Sequence, residues 1–310
     1  MKKTRFGALR ALALAVLAAV VTTTANFGFA QENSDVLQVR DIVYKKVGDR
    51  EIKLNLFLPT NEKGETIKGL PLAIWLDSGC WYSGEPGDGG LWRQTDALKR
   101  GFAVASVSHR PINEAPFPAP MEDVRAAVRF LRKHASDYGY DPNRFVVSGA
   151  SSGGHLSLTL GISDEKTPFN VGDNLDVSGE VQCVVDFFGP ADLEVVFERF
   201  GDECIDCIFI ANGVSRDALK KDHPDHAKLM ANAKKYSPIT YVDEKFAPTI
   251  ILQGNDDNIV PLSQSALMYE TLKVAQVRSQ FIVSDGGVHD PWSLGSKIFL
   301  TREIYEFIKW

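Results

Sequence analysis

The chain has 310 residues, 44% of them hydrophobic, with 34 lysines and arginines against 40 acidic residues and a formal net charge of −6. That acidic balance excludes the broad basic patch that nucleic acid or an anionic membrane surface requires. The length suits one large α/β domain with a central sheet covered on both faces.

At the N-terminus, Lys2, Lys3, Arg5 and Arg10 form a basic leader, Ala11 to Val21 is an unbroken apolar run, and Gly28-Phe29-Ala30 supplies small residues. This is the layout of a cleavable signal peptide over residues 1–30. The apolar run falls short of the ~20 residues a bilayer span needs. The expectation is a secreted or periplasmic protein, with a mature domain over 31–310 and no stable membrane span. Cleavage would remove four basic residues and no acidic ones, leaving 30 against 40.

Ile42 to Leu58 reads as an antiparallel hairpin around Gly48-Asp49, placed at a sheet edge. Pro59 to Gly69 is a polar loop. Leu72 to Leu76 is continuously apolar, the mark of a strand buried on both faces in a parallel sheet. Ser83 to Gly90 is glycine-rich, Leu91 to Arg100 reads as a short helix, and Phe102 to Ser108 as another buried strand. Val124, Ala127, Val128 and Leu131 carry helical periodicity through Met121 to His134. Phe145 to Val147 is a strand, Ser152 opens a helix, and Val181 to Phe188 is a further strand.

Residues 190–240 break the alternation. They are charged, helical in pieces (Arg216 to Lys221, His226 to Lys235), and read as a small cap-like insertion over the sheet edge. Cys204 and Cys207 lie within it, and export permits disulfides, so a local Cys204–Cys207 bridge is expected. Cys183 falls in an apolar strand. Thr249 to Gln253 and Gln280 to Val283 are the last strands, with helices over Ser263 to Ala275 and Lys297 to Ile308. Strand and helix alternating with apolar strands predicts a mostly parallel, doubly wound α/β sheet with helices on both faces.

Chemistry concentrates at Gly149-Ala150-Ser151-Ser152-Gly153, between an apolar strand and a helix. Glycines flank the serine because a strand reversing sharply into a helix has no room for side chains, and the serine hydroxyl is left exposed. Ser151 needs a base to take its proton. In a doubly wound sheet the acid and base follow later strands, in the order serine, acid, histidine. Asp256-Asp257 and His289 stand behind the last two strands, and His289 alone among six histidines follows both carboxylates.

These residues, with His109-Arg110-Pro111, Ala115-Pro116-Phe117-Pro118-Ala119-Pro120, Glu122-Asp123-Val124, Tyr140-Asp141-Pro142-Asn143-Arg144 and Phe188-Gly189-Pro190-Ala191-Asp192-Leu193, carry a resemblance. From about Val39 to Lys309 the chain resembles secreted α/β-hydrolase-fold carboxylesterases, the group spanning hormone-sensitive-lipase-like and feruloyl or acetyl esterases. The resemblance implies the α/β-hydrolase fold and a serine esterase with catalytic Ser151, Asp257 and His289. Asp256 is the alternative acid. It also implies an oxyanion hole from the amides of Ser152, Gly79 and Cys80, although Asp77-Ser78-Gly79-Cys80-Trp81 stands where the family usually has His-Gly-Gly-Gly-Trp.

No metal or organic cofactor is implied. Trp81, Tyr82 and Trp292 are candidate substrate-binding aromatics, able to stack on a sugar or feruloyl ring, with core packing as the other reading. The substrate expected is a small or polysaccharide-linked ester. A serine exopeptidase of the same fold, or an impaired hydrolase-fold binding protein, are the alternatives.

Overall fold

The computed structural model describes residues 35–82, 86, 96–202, 204–291, 293–294 and 297–308. The expected signal peptide, all of the glycine-rich Ser83 to Gly90 segment but Pro86, the first half of the Leu91 to Arg100 helix and Trp292 lie outside the described residues.

Eight strands form one sheet in the order β1-β2-β4-β3-β5-β6-β7-β8. β1 (Val36–Val47) and β2 (Arg50–Pro59) are the edge hairpin, and β2 runs antiparallel to β4 (Ala103–Val107). From β4 onward every neighbour is parallel: β3 (Leu70–Leu76), β5 (Tyr140–Ala150), β6 (Cys183–Phe187), β7 (Thr249–Gly254) and β8 (Ser279–Ser284). This is the α/β-hydrolase fold.

Alternating side chains on these strands enter two separate cores, which explains their continuous apolar character. Leu72, Ile74, Leu76, Phe145, Val147, Val184 and Ile251 join one core with helices α1 (Ala119–Lys133) and α3 (Ser152–Leu160). Trp75, Val146, Val185, Ile250 and Leu252 join the other, with Phe102 and the end of the C-terminal helix, α8 (Lys297–Ile308). The short helix α2 (Ala135–Tyr138) closes on Gly139 in a left-handed conformation. Strand β5 starts earlier than Phe145, because Tyr140 pairs with Leu70 before a register shift. Pro142 and its polar neighbours hide that extension from sequence patterning.

A buried carboxylate fixes the loop after β4. Asp123 on α1 accepts from Lys45 Nζ (2.6 Å) and from Arg110 Nε, NH2 and backbone N–H (2.8, 2.8 and 2.9 Å). Such a fully paired charge is costly to break from one side.

Segment 190–240 contains α4 (Leu193–Phe200), α5 (Asp206–Ala211) and α6 (His226–Tyr236), with 3-10 turns at Arg216–Leu219 and Pro238–Tyr241. Asp192 caps α4 by accepting the Val195 N–H (3.1 Å). Gln264, on α7 (Leu262–Val274), anchors the segment's start by accepting the N–H groups of Ala191 and Asp192. The segment lies above the carboxyl ends of central strands rather than at the sheet edge: the Phe117 N–H donates to the Ala211 carbonyl, and α4 and α5 face the loop after β7. Among the described residues, no helix is long and apolar enough to cross a membrane.

Candidate active site

Ser151 sits between β5 and α3 with φ 56° and ψ −119°, a conformation that strains any residue with a β-carbon. The packing beneath it enforces the turn. A β-carbon on Gly149 would overlap the Gly153 backbone, and one on Gly153 would overlap the Leu76 carbonyl on β3. Two glycines therefore let helix, nucleophile strand and neighbouring strand close on one another. The Ser151 N–H is tied to the Phe187 carbonyl of β6 at 2.9 Å.

His289 lies in the loop after β8, with Nε2 2.9 Å from Ser151 Oγ and Nδ1 2.7 Å from Asp257 Oδ2. A carboxylate only accepts, so Nδ1 carries the proton and Nε2 accepts from the serine hydroxyl. Asp257 is 8% exposed. Its Oδ1 accepts from the Ile259 and Val260 amides (2.9 Å each), and its Oδ2 also accepts from Gln253 Nε2 (2.8 Å). Burial pushes this carboxyl up, but His289 and the two amides outweigh it and hold the group below its ordinary value. Asp256 is exposed.

The loops bearing Asp257 and His289 are fastened together. Gly254 lies against Gly287 so closely that a β-carbon would overlap its carbonyl, and the Asp256 N–H donates to that same carbonyl at 2.9 Å. The Asn255 N–H donates to Ser284, and the Asn255 side chain accepts from Gly286. Phe188 packs on the imidazole at 4.6 Å between ring centroids.

After β3, Gly79, Cys80 and Trp81 take positive φ in succession (112°, 55° and 58°). Cys80 thus adopts a left-handed backbone despite its β-carbon. The Asp77 carboxylate accepts from the Trp75 indole N–H at 2.6 Å, on the sheet face opposite α3. Ser152 is the first residue of α3, so its N–H has no partner within the helix. The start of this loop lies beside the Ser151 turn, the Leu76 and Asp77 carbonyls standing against Gly153.

Trp81 requires a correction as a substrate aromatic. It is 2% exposed, and its ring stands edge-on to Phe117 and His155, both at 5.3 Å. It anchors the loop into the core. Tyr82 is 41% exposed and free of that packing. The expected Cys204–Cys207 bridge is also corrected: all four cysteines are free thiols, and Cys204 Sγ faces the Val196 carbonyl instead.

A cavity of about 270 Å³ lies between the cap and the acid loop, lined by Val196, Phe200, Ile208, Asp257, Ile259 and Val260 among others. Sequence patterning did not single out Gln253 or Asp186. Asp186 is fully buried on β6 below α3, where burial pushes its carboxyl up to about 8, and it accepts the Gly189 N–H at 2.9 Å. A buried polar residue inside an apolar strand is the signal that marks Gln253 and Asp186.

An α/β-hydrolase sheet carrying a serine–imidazole–carboxylate chain behind the matching strands defines the α/β-hydrolase class. The chain belongs to the BD-FAE family, whose model matches residues 54–272. It is similar to a probable isoprenylcysteine alpha-carbonyl methylesterase of Arabidopsis thaliana, 24% identical over 253 residues, covering 81% of this chain and 50% of that protein. It is also similar to a probable carboxylic ester hydrolase of Mycobacterium tuberculosis, 24% identical over 213 residues, covering 69% of this chain and 47% of that protein. The chain spans about half the length of these curated relatives.

Among solved structures, a truncated carbohydrate esterase from gut microbiota superposes with a TM-score of 0.69 at 26% identity, over 90% of this chain and 98% of that one. A thermophilic esterase of Thermogutta terrifontis superposes with a TM-score of 0.67 at 23% identity, over 86% and 89% of the two chains.

Proposed function

We propose that this protein hydrolyses carboxylic esters through Ser151, His289 and Asp257. The observation that carries the reading is the unbroken chain from Ser151 Oγ to His289 Nε2 (2.9 Å) and from Nδ1 to Asp257 (2.7 Å). As Ser151 attacks the ester carbonyl, His289 takes its proton, and the caged Asp257 carboxylate stabilises the imidazolium. The alcohol leaves with that proton, and water repeats the sequence on the acyl-enzyme. The amides of Ser152, Gly79 and Cys80 receive the charge that develops on the carbonyl oxygen. Asp77 does not oppose them, because its carboxylate is engaged by Trp75.

The substrate proposed is a small carboxylic ester or a carbohydrate-linked acetyl or feruloyl ester. The likeness to a carbohydrate esterase supports a small or carbohydrate-linked ester. The basic and apolar leader supports action after export.

The test is a panel of p-nitrophenyl esters of rising chain length, methyl ferulate, acetylated xylan and aminoacyl-nitroanilides, run beside fluorophosphonate labelling. Turnover of the short or carbohydrate esters and labelling at Ser151 are expected. Preference for the nitroanilides, or a folded protein that neither labels nor turns over any ester, would sink the reading.

A further inference from the structure

Residues 186–189 turn out of β6 and touch three parts of the site. The Phe187 carbonyl accepts the Ser151 N–H, and the Phe188 N–H donates to the Leu252 carbonyl on β7, both at 2.9 Å. The Phe188 ring is 1% exposed and lies 4.6 Å from the His289 imidazole between centroids. One short turn therefore meets the nucleophile, its base and the strand that leads to Asp257.

Phe188 takes φ 46°, a left-handed backbone that a residue with a β-carbon keeps only where its surroundings impose it. Two contacts at Gly189 do so. Its N–H donates to Asp186 Oδ1 at 2.9 Å. Its α-carbon presses on the first turn of α3, where a β-carbon would overlap the Gly154 and His155 backbone. Asp186 is fully buried, its Oδ1 also lies against Gly154, and its Oδ2 has no hydrogen-bond partner among the described residues. The bond to Gly189 is thus the polar contact that this side chain makes. A carboxyl is unfavourable in a strand otherwise built of Cys183, Val184, Val185 and Phe187, so packing does not account for it.

We propose that Asp186 is a positioning residue for the base: through the Gly189 N–H it locks the turn, and the turn braces Phe188 against the imidazole of His289. The proposal rests on the ester-hydrolase reading. The bonds from His289 to Ser151 Oγ and Asp257 Oδ2 leave from its two ring nitrogens, so the ring can still rock about the line between them. A buried aromatic ring packed on the imidazole blocks that motion and keeps water from that side. A base misplaced by about 1 Å costs about 10²-fold in rate. Asp186 and Phe188 are too deeply buried to meet the substrate, so their effect falls on kcat rather than on KM.

Burial pushes the Asp186 carboxyl up to about 8, so near neutral pH it is the protonated acid, and a carboxamide copies its shape and its acceptor. The experiment compares Asp186→Asn, Asp186→Leu and Phe188→Leu with the wild type near neutral pH, with folding checked by circular dichroism. Both leucine variants are expected to lose at least about tenfold in kcat on a short p-nitrophenyl ester, with KM within about twofold. Asp186→Asn is expected to recover kcat to within about threefold of wild type. The downfield proton NMR resonance of His289 Nδ1–H, assigned by its loss in His289→Gln, is expected to be sharp in the wild type and Asp186→Asn. In both leucine variants it is expected to broaden by exchange with water. Phe188→Leu with unchanged kcat or an unbroadened resonance, or Asp186→Asn as impaired as Asp186→Leu, would overturn the proposal. Should Asp186→Leu fail to fold, Phe188→Leu decides. A wild type with the sharp resonance and no ester turnover would count against the ester-hydrolase reading alone, because the resonance in the variants still decides the bracing.

Discussion

Gly153, two residues beyond the nucleophile candidate, packs against the Leu76 carbonyl of β3 so closely that a β-carbon would overlap it. The contact is backbone on backbone, so no side chain can swing aside. Gly153→Ala is expected to lower stability by about 1–3 kcal/mol and to cut kcat at least tenfold, because α3 must back away and carry Ser152 with it. Urea unfolding with parallel kinetics checks this; unchanged kcat would show that the elbow tolerates the shift.

Ser151 holds a φ of 56°. Both Ser151→Ala and Ser151→Gly should lose at least about three orders of magnitude in kcat. They differ in stability. Alanine keeps the β-carbon in its strained setting, whereas glycine relieves it, so the glycine variant should unfold about 1 kcal/mol later than the alanine variant. Thermal melts of the two inactive proteins make the comparison.

The adjacent aspartates separate cleanly. Asp257→Asn is expected to lower kcat by about 10⁴, because an amide in that cage no longer fixes the imidazole tautomer. Asp256→Asn should stay within about threefold of wild type, since Asp256 faces solvent. Comparable losses in both would move the acid assignment.

Trp81→Ala should cost about 3–5 kcal/mol, as expected for a large aromatic removed from a core. Tyr82→Ala should leave stability within about 0.5 kcal/mol, since Tyr82 is 41% exposed, and report instead on KM. A stable Trp81→Ala protein would contradict the packing against Phe117 and His155.

Asp186 gives a pH signature. Burial pushes its carboxyl up to about 8, against about 3.9 in the unfolded chain. Between these values the folded state binds the extra proton, so stability falls as pH rises from about 4 to about 8 and levels above that. Asp257 acts in the opposite sense: its contribution is present above the ordinary carboxylate value and is lost as pH falls through its lowered one. Asp186→Asn should therefore gain on the wild type progressively from pH 4 to pH 8 in denaturant titrations. Parallel curves would refute the assignment.

Ser151 and His289 were legible in the sequence because the elbow is local and chain order constrains the rest. The choice of Asp257 over Asp256 was less so. Adjacent residues share the same spacing to every motif, and only the amides of Ile259 and Val260 distinguish them. Trp81 misled because an aromatic after a small-residue loop resembles a substrate platform, while the rings that bury it, Phe117 and His155, are remote in sequence. The cysteines failed for the same reason. Spacing favours Cys204 with Cys207, and the fold turns the Cys204 thiol to the Val196 carbonyl instead.

The fastening of Gly254 to Gly287 sets which coordinate of the site is soft. Aspartate and imidazole ride on one welded pair of loops at the β7–β8 side, while the serine belongs to the β5–α3 turn. A displacement between those two parts would change the Ser151–His289 separation and carry the His289–Asp257 bond along with its loops. Readiness to react is thereby adjustable without disturbing the protonation pattern of the ring.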